Sequence, residues 1–418
     1  MSFKSCDFDY FLVLLLFLGV FIQKALLFLR VLPGILEKLR ILGEAAKYDL
    51  CASTASPRAH TPGSIGRVAV SSVCHSFLPD GRCISLLKVL LTNQCIHDCA
   101  YCINSTSNRK KYNTNVTFFK PDELARLTIA FYIRNYIEGL FLSSGVGKSA
   151  DCQAEIIYET LRLLRKDYNF DGYIHAKVLP GIGRDELRRI AELADRVSLN
   201  VELPNKSRFS ETCSTKDYNN DIMKVSKLLP EFRTKGLIPA GYTTQYVIGA
   251  AEETDKELLD SIFNFYDRDW DFKRQYYSTC LPLQSGTKVF PREFFRREHR
   301  LYQIDWLRRI YKFSPQELYT ILNEEGYIPL REDPKVSLAR NNSELFPLDV
   351  NIATYRELMR VPGIGHLSAT RIIKLQKREV KINKAEQLKS MGVVLKRALP
   401  FLTIGKNTQL TMDKFWNK

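Results

Sequence analysis

The chain has 418 residues, 45% hydrophobic and 26% charged, which suits two or three folded domains, or one large barrel with an appendage, and excludes a disordered chain. Its 61 Lys and Arg against 46 Asp and Glu leave a net charge of +15, which favours a polyanionic partner, nucleic acid first. Ten cysteines are too few for a disulfide scaffold at this length, and the one tight cluster has metal-ligand spacing, so a reducing, cytoplasmic setting is expected.

Residues 1–36 read as an apolar extension. Phe11 to Ile22 is an unbroken apolar run of 12 followed by Gln23 and Lys24, too short to span a bilayer and without the basic flank of a secretory signal. From Glu37 to Tyr48 the apolar spacing is helical, Ser53 to Gly66 is a loop rich in Ser, Thr, Pro and Gly, and Asp80-Gly81 makes a turn. Beyond the turn, short β-rich runs alternate with amphipathic stretches. The expected strands are Ile84 to Leu91, Gly139 to Leu142, Gly172 to Leu179, Val197 to Val201, Thr243 to Ile248 and Tyr276 to Leu281. The expected helices between them are Pro121 to Tyr136, Ala154 to Lys166, Arg184 to Ala194, Asp221 to Thr234 and Thr254 to Tyr266. Pro121 with Asp122 and Glu123 is a helix start, and Thr254 with Glu257 is a capping box. Strands alternating with helices require parallel pairing through right-handed crossovers. Residues 37–325 are therefore read as an α/β domain of about six βα units, its ligand site at the carboxyl ends of the strands.

Just past the first of these strands lies Thr92-Asn93-Gln94-Cys95-Ile96-His97-Asp98-Cys99-Ala100-Tyr101-Cys102. Three cysteines spaced C-x3-C-x2-C on one polar loop can wrap a single metal centre. A zinc site with His97 as fourth ligand is the rival, although His97 stands only two residues from Cys95 and from Cys99. A four-iron, four-sulfur cube held by three cysteines keeps one iron without a protein ligand.

The loop resembles the signature of the radical S-adenosylmethionine (radical SAM) superfamily, with Tyr101 as the aromatic residue before the last cysteine. The resemblance implies a partial (β/α)6, TIM-like barrel and a 4Fe-4S cluster on Cys95, Cys99 and Cys102. It implies that the open iron holds S-adenosylmethionine, which a low-potential electron donor converts to a 5'-deoxyadenosyl radical. It also implies cofactor contacts from Tyr101 and from Ser143, Ser144 and Gly145, where the superfamily has a Gly-Gly-Glu-like stretch and this chain lacks the acid. On the fourth strand Ser198, Asn200 and Glu202 share one face, so Asn200 and Glu202 are candidates to hydrogen-bond ribose or carboxylate. Lys177, on one side of its strand with His175 and Tyr173, and Gln245 are further interior candidates, and Cys280 is a candidate hydrogen-atom donor. Cys51, Cys74 and Cys83 form no ligand pattern for a second cluster and read as ordinary thiols.

Residues 326–345 read as a linker and 346–418 as an all-α domain. Phe346 to Met359 leads into Val361-Pro362-Gly363-Ile364-Gly365 and then His366 to Ile373, two amphipathic helices around a Pro-Gly-hydrophobic-Gly turn. This resembles the helix-hairpin-helix motif of DNA-binding and repair proteins. The glycines would bring backbone amides to a phosphate, the next helix would add its positive end, and Ile364 would anchor the turn. Pro362, Gly363, Ile364, Gly365 and Arg371 are the nucleic-acid-binding candidates. Leu179-Pro180-Gly181-Ile182-Gly183 contains the same string but follows a strand, and is read as a βα connection. Ala385 to Leu399, turning at Met391-Gly392-Val393, reads as a second, degenerate copy. Residues 351–418 hold 14 Lys and Arg against 4 Asp and Glu, 14 minus 4 giving +10, and Arg296, Arg297, Arg300, Arg308 and Arg309 are expected to extend that basic surface.

A radical SAM barrel fused to this motif is similar to the family described as DNA modification or repair radical SAM proteins, over roughly residues 37–400. Pro79 to Lys88 and Asn135 to Gly145 also match it. The resemblance does not fix the reaction; the leading reading is an enzyme that modifies a base or sugar of DNA or repairs a lesion, with no stable protein partner inferred. RNA is the alternative substrate, and a non-catalytic, zinc-containing nucleic-acid-binding protein is the alternative from another class.

Overall fold

A computed structural model describes residues 34–46, 72–77, 83–268, 272, 274–281 and 292–405. The apolar run Phe11 to Ile22, Cys6 and Cys51 lie outside the described residues, and among the described residues no helix is long and apolar enough to cross a membrane. The chain divides into two compact units, residues 1–251 with 269–283, and residues 252–268 with 284–418.

The first unit is built on a seven-stranded sheet in sequence order, β1 Val73–Phe77, β2 Cys83–Leu90, β3 Gly139–Ser143, β4 Tyr173–Lys177, β5 Arg196–Ser198, β6 Tyr242–Ile248 and β7 Arg274–Thr279. Strands β2 to β7 pair in parallel, as the alternation requires, and β1 joins the edge antiparallel with Phe77 opposite Cys83. Strands β3 and β6 are buried along their whole length, as expected of strands covered on both faces. The helices are α1 (34–45), α2 Thr106–Lys111, α3 Pro121–Ile133, α4 Ala150–Arg162, α5 Arg184–Leu193, α6 Lys206–Thr212, α7 Lys224–Ser226 and α8 Leu228–Thr234. The single helix expected over Asp221 to Thr234 is broken. A π-helical turn covers Tyr218–Met223 and the chain resets at Lys227, because Pro230 has no amide and its ring crowds the carbonyl of Ser226. Gly181, at φ +75°, turns the chain from β4 into α5, so that string is indeed a βα connection.

The second unit contains α9 Asp255–Arg268, α10 Arg292–Arg309, α11 Pro315–Tyr319, α12 Pro334–Asn341, α13 Tyr355–Leu358, α14 His366–Gln376, α15 Ala385–Ser390 and α16 Leu395–Ala398. Two short parallel strands, β8 Leu348–Asp349 and β9 Leu402–Thr403, tie its end together. Helix α9, which the alternation assigns to the barrel, makes polar contacts with α10 and α11: Arg297 pairs with Asp255, Arg308 with Asp267, and the Tyr319 hydroxyl donates to Asp260 at 2.6 Å. Arg309 pairs with Asp305 on its own helix. Three of the five α10 arginines expected to widen the basic surface are thus neutralised inside this unit. The core beneath the hairpin is formed by Val350, Val361, Ile364, Ile372, Leu388 and Phe401, all fully buried, each contributing about 1.5–3 kcal/mol by leaving water.

Candidate functional site

The cysteine loop leaves the end of β2 and is fixed from several directions. Asn93 Nδ2 donates to Asn115 O at 2.7 Å and Asn93 Oδ1 accepts from Thr117 N at 2.9 Å. From β3, Gly145 N donates to Thr92 O at 2.8 Å, and Ile96 N donates to Val146 O at 2.8 Å. Gly145 has to be glycine for this approach, since a Cβ there would stand 2.3 Å from Gln94 O. Inside the loop Asn108 Nδ2 donates to Ala100 O and Cys102 O at 2.9 and 3.0 Å.

A third fastening was not visible in the sequence. Residues 212–216 lie against the loop: Ala100 N donates to Thr212 O at 2.9 Å, and the Asp98 carboxylate accepts from Ser214 N, Thr215 Oγ1 and Cys213 Sγ. Burial pushes the Asp98 carboxyl up, but the hydrogen bonds from Ser214 and Thr215 outweigh it and hold the group below the usual carboxylate range. Cys213 Sγ lies 3.5 Å from Cys99 Sγ. The Cys213 contact lowers the Cys99 thiol against the effect of burial, with help from the Lys216 ammonium. Burial would lower Lys216, yet the charges of Cys99 and Glu202 keep it raised. Cys102, partly buried, is pushed up to about 12, chiefly by burial.

Cys95, Cys99 and Cys102 line one cleft at the carboxyl ends of the strands, of about 1,110 Å³ with its open mouth included. Tyr101, Ser143, Ser144 and Gly145 line it, as do Asn200 and Glu202. Lys177, Gln245 and Cys280 also reach it, as does Lys216, which sequence reasoning missed. Strand β5 ends at Ser198, short of the expected Val201, and Glu202 adopts φ +67°, a strained backbone for a residue with a side chain. Asn200 hydrogen-bonds Glu202, whose carboxyl is raised by burial. The Ser144 hydroxyl is engaged with Gly145 O at 2.8 Å. His175 is buried one step deeper on β4, its ring edge-on to Phe141 at 4.4 Å, and Tyr173 packs with Phe141, Leu86 and Cys74. Cys74 is buried in that cluster and Cys83 is exposed, which suits ordinary thiols.

The residues present fit an iron–sulfur cluster with an amino-acid-bearing nucleoside cofactor. Three thiols on one loop supply the donor set, and Tyr101 Oη and Asn104 Oδ1, both buried on the cleft walls, have no partner among the described residues. Among the described residues no group of three or more His, Cys, Asp or Glu converges as the ligands of one ion would. His97 instead sits by the Thr215 hydroxyl at 3.2 Å, and burial lowers its pKa.

In the second unit the Thr354–Glu357 capping box starts α13 and Ile364 anchors the turn, 1% exposed. Gly363 has φ +83°, and its missing side chain faces inward, where a Cβ would stand 2.6 Å from Val394 O. This glycine serves the turn and the packing of the second hairpin, whose Val394 N donates to Gly363 O at 2.9 Å. Gly365 heads α14 with no side-chain cap. The second copy is present as α15 and α16 around Gly392, φ +87°. Arg371 Nη1 is engaged with Met391 O at 3.0 Å, holding one hairpin to the other. Pro362 stands beside Gly363 in the turn.

Residues 89–263 match the family model described as Radical SAM superfamily, and residues 347–398 the one described as Helix-hairpin-helix motif. The chain carries a radical SAM domain, whose enzymes use a 4Fe-4S cluster and S-adenosylmethionine, and a helix-hairpin-helix motif. No curated protein matches it. Similar solved structures include the FeFe-hydrogenase maturase HydG from Carboxydothermus hydrogenoformans, 14% identical with 54% of this chain and 51% of that one covered and a TM-score of 0.40. Others are anSMEcpe with bound AdoMet (13%, 53% and 59%, 0.37) and SuiB from Streptococcus suis (11%, 51% and 44%, 0.38). The chain spans about half the length of these structures, and overlaps this low carry no argument of their own.

Proposed function

We propose that this chain is a radical SAM enzyme acting on nucleic acid, DNA in the first instance, to modify a base or sugar or to reverse a lesion. The observation that carries the reading is one cleft lined by the three loop cysteines together with Asn200, Glu202 and Lys216, in a chain that also bears a helix-hairpin-helix motif. When bound and reduced, the cluster and S-adenosylmethionine supply a 5'-deoxyadenosyl radical. Cys95, Cys99 and Cys102 would hold the cluster as thiolates, and the Lys216 charge offsets theirs. Asn200 and Glu202 offer polar groups for the ribose or the amino-acid part. Ser143, Gly145 and the backbone around Ser144 would take the methionine end, the Ser144 hydroxyl already having a partner. The Tyr101 hydroxyl is open to a polar atom of the same cofactor. Cys280, on the cleft wall after β7, keeps its candidacy as hydrogen-atom donor. The electron would come from a low-potential donor protein or reductant, and the free thiols among the described residues suit a reducing, cytoplasmic setting.

The test is anaerobic. The full chain, reconstituted with iron and sulfide, should hold about four irons and release 5'-deoxyadenosine from S-adenosylmethionine under dithionite. Incubation with irradiated or modified DNA, beside RNA of the same sequence, followed by mass spectrometry of the nucleosides, identifies the substrate. Colourless protein that binds zinc instead would overturn the enzyme reading.

A further inference from the structure

We propose that the cavity beside the first hairpin turn receives an unstacked nucleotide, its phosphate at the turn and its base against Trp306, so that the nucleic acid recognised is one with an unpaired base. This rests on the reading that the helix-hairpin-helix unit binds nucleic acid, and it names the kind.

The cavity, about 750 Å³ with its open mouth included, is lined by Tyr302, Trp306, Tyr311, Lys335, Gly365 and Arg397. Leu301, Ile304 and Leu307 of α10 are buried, yet Trp306 on the same helix is 49% exposed and turned to this hollow. An indole left half in water beside a concave surface is a stacking platform for a flat ring. The basic side chains of the cavity are Lys335 and Arg397. Lys335, 8% exposed, donates from Nζ to Ile364 O at 2.6 Å and lies 4.8 Å from the Tyr311 ring centroid, placing its amine beneath the hairpin, where burial lowers its pKa to about 7. The Arg397 side chain is 55% exposed at the rim. The one acid on the wall, Asp333, accepts from Lys335 N at 3.0 Å, Gln303 Nε2 at 3.3 Å and Arg397 Nη1 at 3.4 Å, so its charge is engaged. An intact duplex offers phosphates to such a wall but keeps its base faces stacked inside. A bulged or single-stranded nucleotide offers both a phosphate and a ring.

Stacking one base on an aromatic ring is worth on the order of ten-fold in affinity. Fluorescence anisotropy with the full chain should therefore show a duplex carrying one unpaired nucleotide binding about ten-fold more tightly than the same duplex without it. Trp306→Ala should erase that preference while duplex affinity stays within about two-fold, and Trp306→Phe should keep part of it. The base analogue 2-aminopurine at the unpaired position should lose fluorescence on binding the wild type and not on binding Trp306→Ala. Equal affinity for both duplexes, or a preference that survives Trp306→Ala, overturns the pocket while leaving nucleic-acid binding intact. Failure of the wild type to bind any of the DNAs overturns the underlying reading itself, and this inference with it.

Discussion

The Thr215 hydroxyl donates to Asp98 Oδ1 at 2.8 Å across 117 residues of sequence. With Ser214 on the same carboxylate and Thr212 O accepting from Ala100 N, it closes the cluster loop against a second loop. The arrangement presets the loop before any cluster is present, which lowers the ordering cost of filling it.

Asp98→Ala should remove this fastening. Hydrogen bonds to a carboxylate are worth roughly 1–3 kcal/mol net, at the lower end for a group in partial contact with water. The Asp98 carboxyl titrates below its ordinary range when folded, so its contribution is complete above the unfolded value of about 4 and is lost as pH falls through the lower folded value. Urea unfolding of cluster-free protein should show the difference between wild type and variant undiminished from pH 7 to pH 5 and shrinking below that. A difference that grows on acidification would contradict the assignment.

Removing the cysteines should separate ligands from neighbours. Cys95→Ala, Cys99→Ala and Cys102→Ala should each lose the ordinary iron content and abolish 5'-deoxyadenosine formation. Cys213→Ala, which lacks only the thiol 3.5 Å from Cys99, should keep about four irons. Iron analysis with absorbance of anaerobic protein distinguishes them. Cluster loss in Cys213→Ala alone would mean that the ligands are wrongly assigned.

Much of this was legible in the chain for reasons that can be stated residue by residue. The cysteine loop was readable because its thiols are close together in sequence, and β2 to β7 because short β-rich runs alternate with amphipathic helical stretches. Strand β1 was missed: Val73-Cys74-His75-Ser76-Phe77 is an antiparallel edge strand of mixed polarity with no helix to announce it. Lys216 and Cys213 were missed because they reach Cys99 only through tertiary structure, more than a hundred residues on. The face shared by Asn200 and Glu202 was anticipated from strand alternation, yet β5 has already ended there. A left-handed Glu202, bridged in parallel to Tyr246, carries the side chain to the cleft instead.

That backbone makes Glu202 a sensitive probe. Glu202→Gln keeps the shape and removes the charge that faces Lys216, so S-adenosylmethionine binding should weaken about ten-fold or more while iron content holds, since one charge-assisted hydrogen bond is worth about 1.5–3 kcal/mol. Equilibrium binding to the reconstituted protein measures it. Unchanged affinity would place the cofactor away from β5.

The two turn glycines should respond differently. Gly363→Ala forces a side chain into a φ of +83° and against Val394 O, a cost of roughly 1–3 kcal/mol. A Cβ at Gly365 meets only the Tyr311 hydroxyl, at 3.2 Å, and its φ is ordinary. Thermal unfolding should show Gly363→Ala clearly destabilised and Gly365→Ala close to wild type. Truncation before Phe346 is a poor substitute for either, because Ala339 and Tyr311 pack into the same core as Phe346.

Salt dependence separates the charges that meet phosphate from those that hold the fold. Each phosphate neutralised by Lys or Arg releases condensed counterions, so the slope of log affinity against log salt counts them, at about 0.9 per contact on duplex DNA. Arg397 lies at the rim of the hairpin cavity with Asp333 3.4 Å away, whereas Arg297, Arg308 and Arg309 are closely paired with Asp255, Asp267 and Asp305. Arg397→Ala should therefore flatten the slope by about one and weaken binding to every DNA sequence alike. Arg308→Ala should leave the slope unchanged and instead lower the unfolding temperature, having lost its bonds to Asp267 and Phe313 O. Anisotropy titrations from low to physiological salt, run beside thermal unfolding, read both effects. A slope reduced by Arg308→Ala and untouched by Arg397→Ala would move the phosphate path off the hairpin and onto α10.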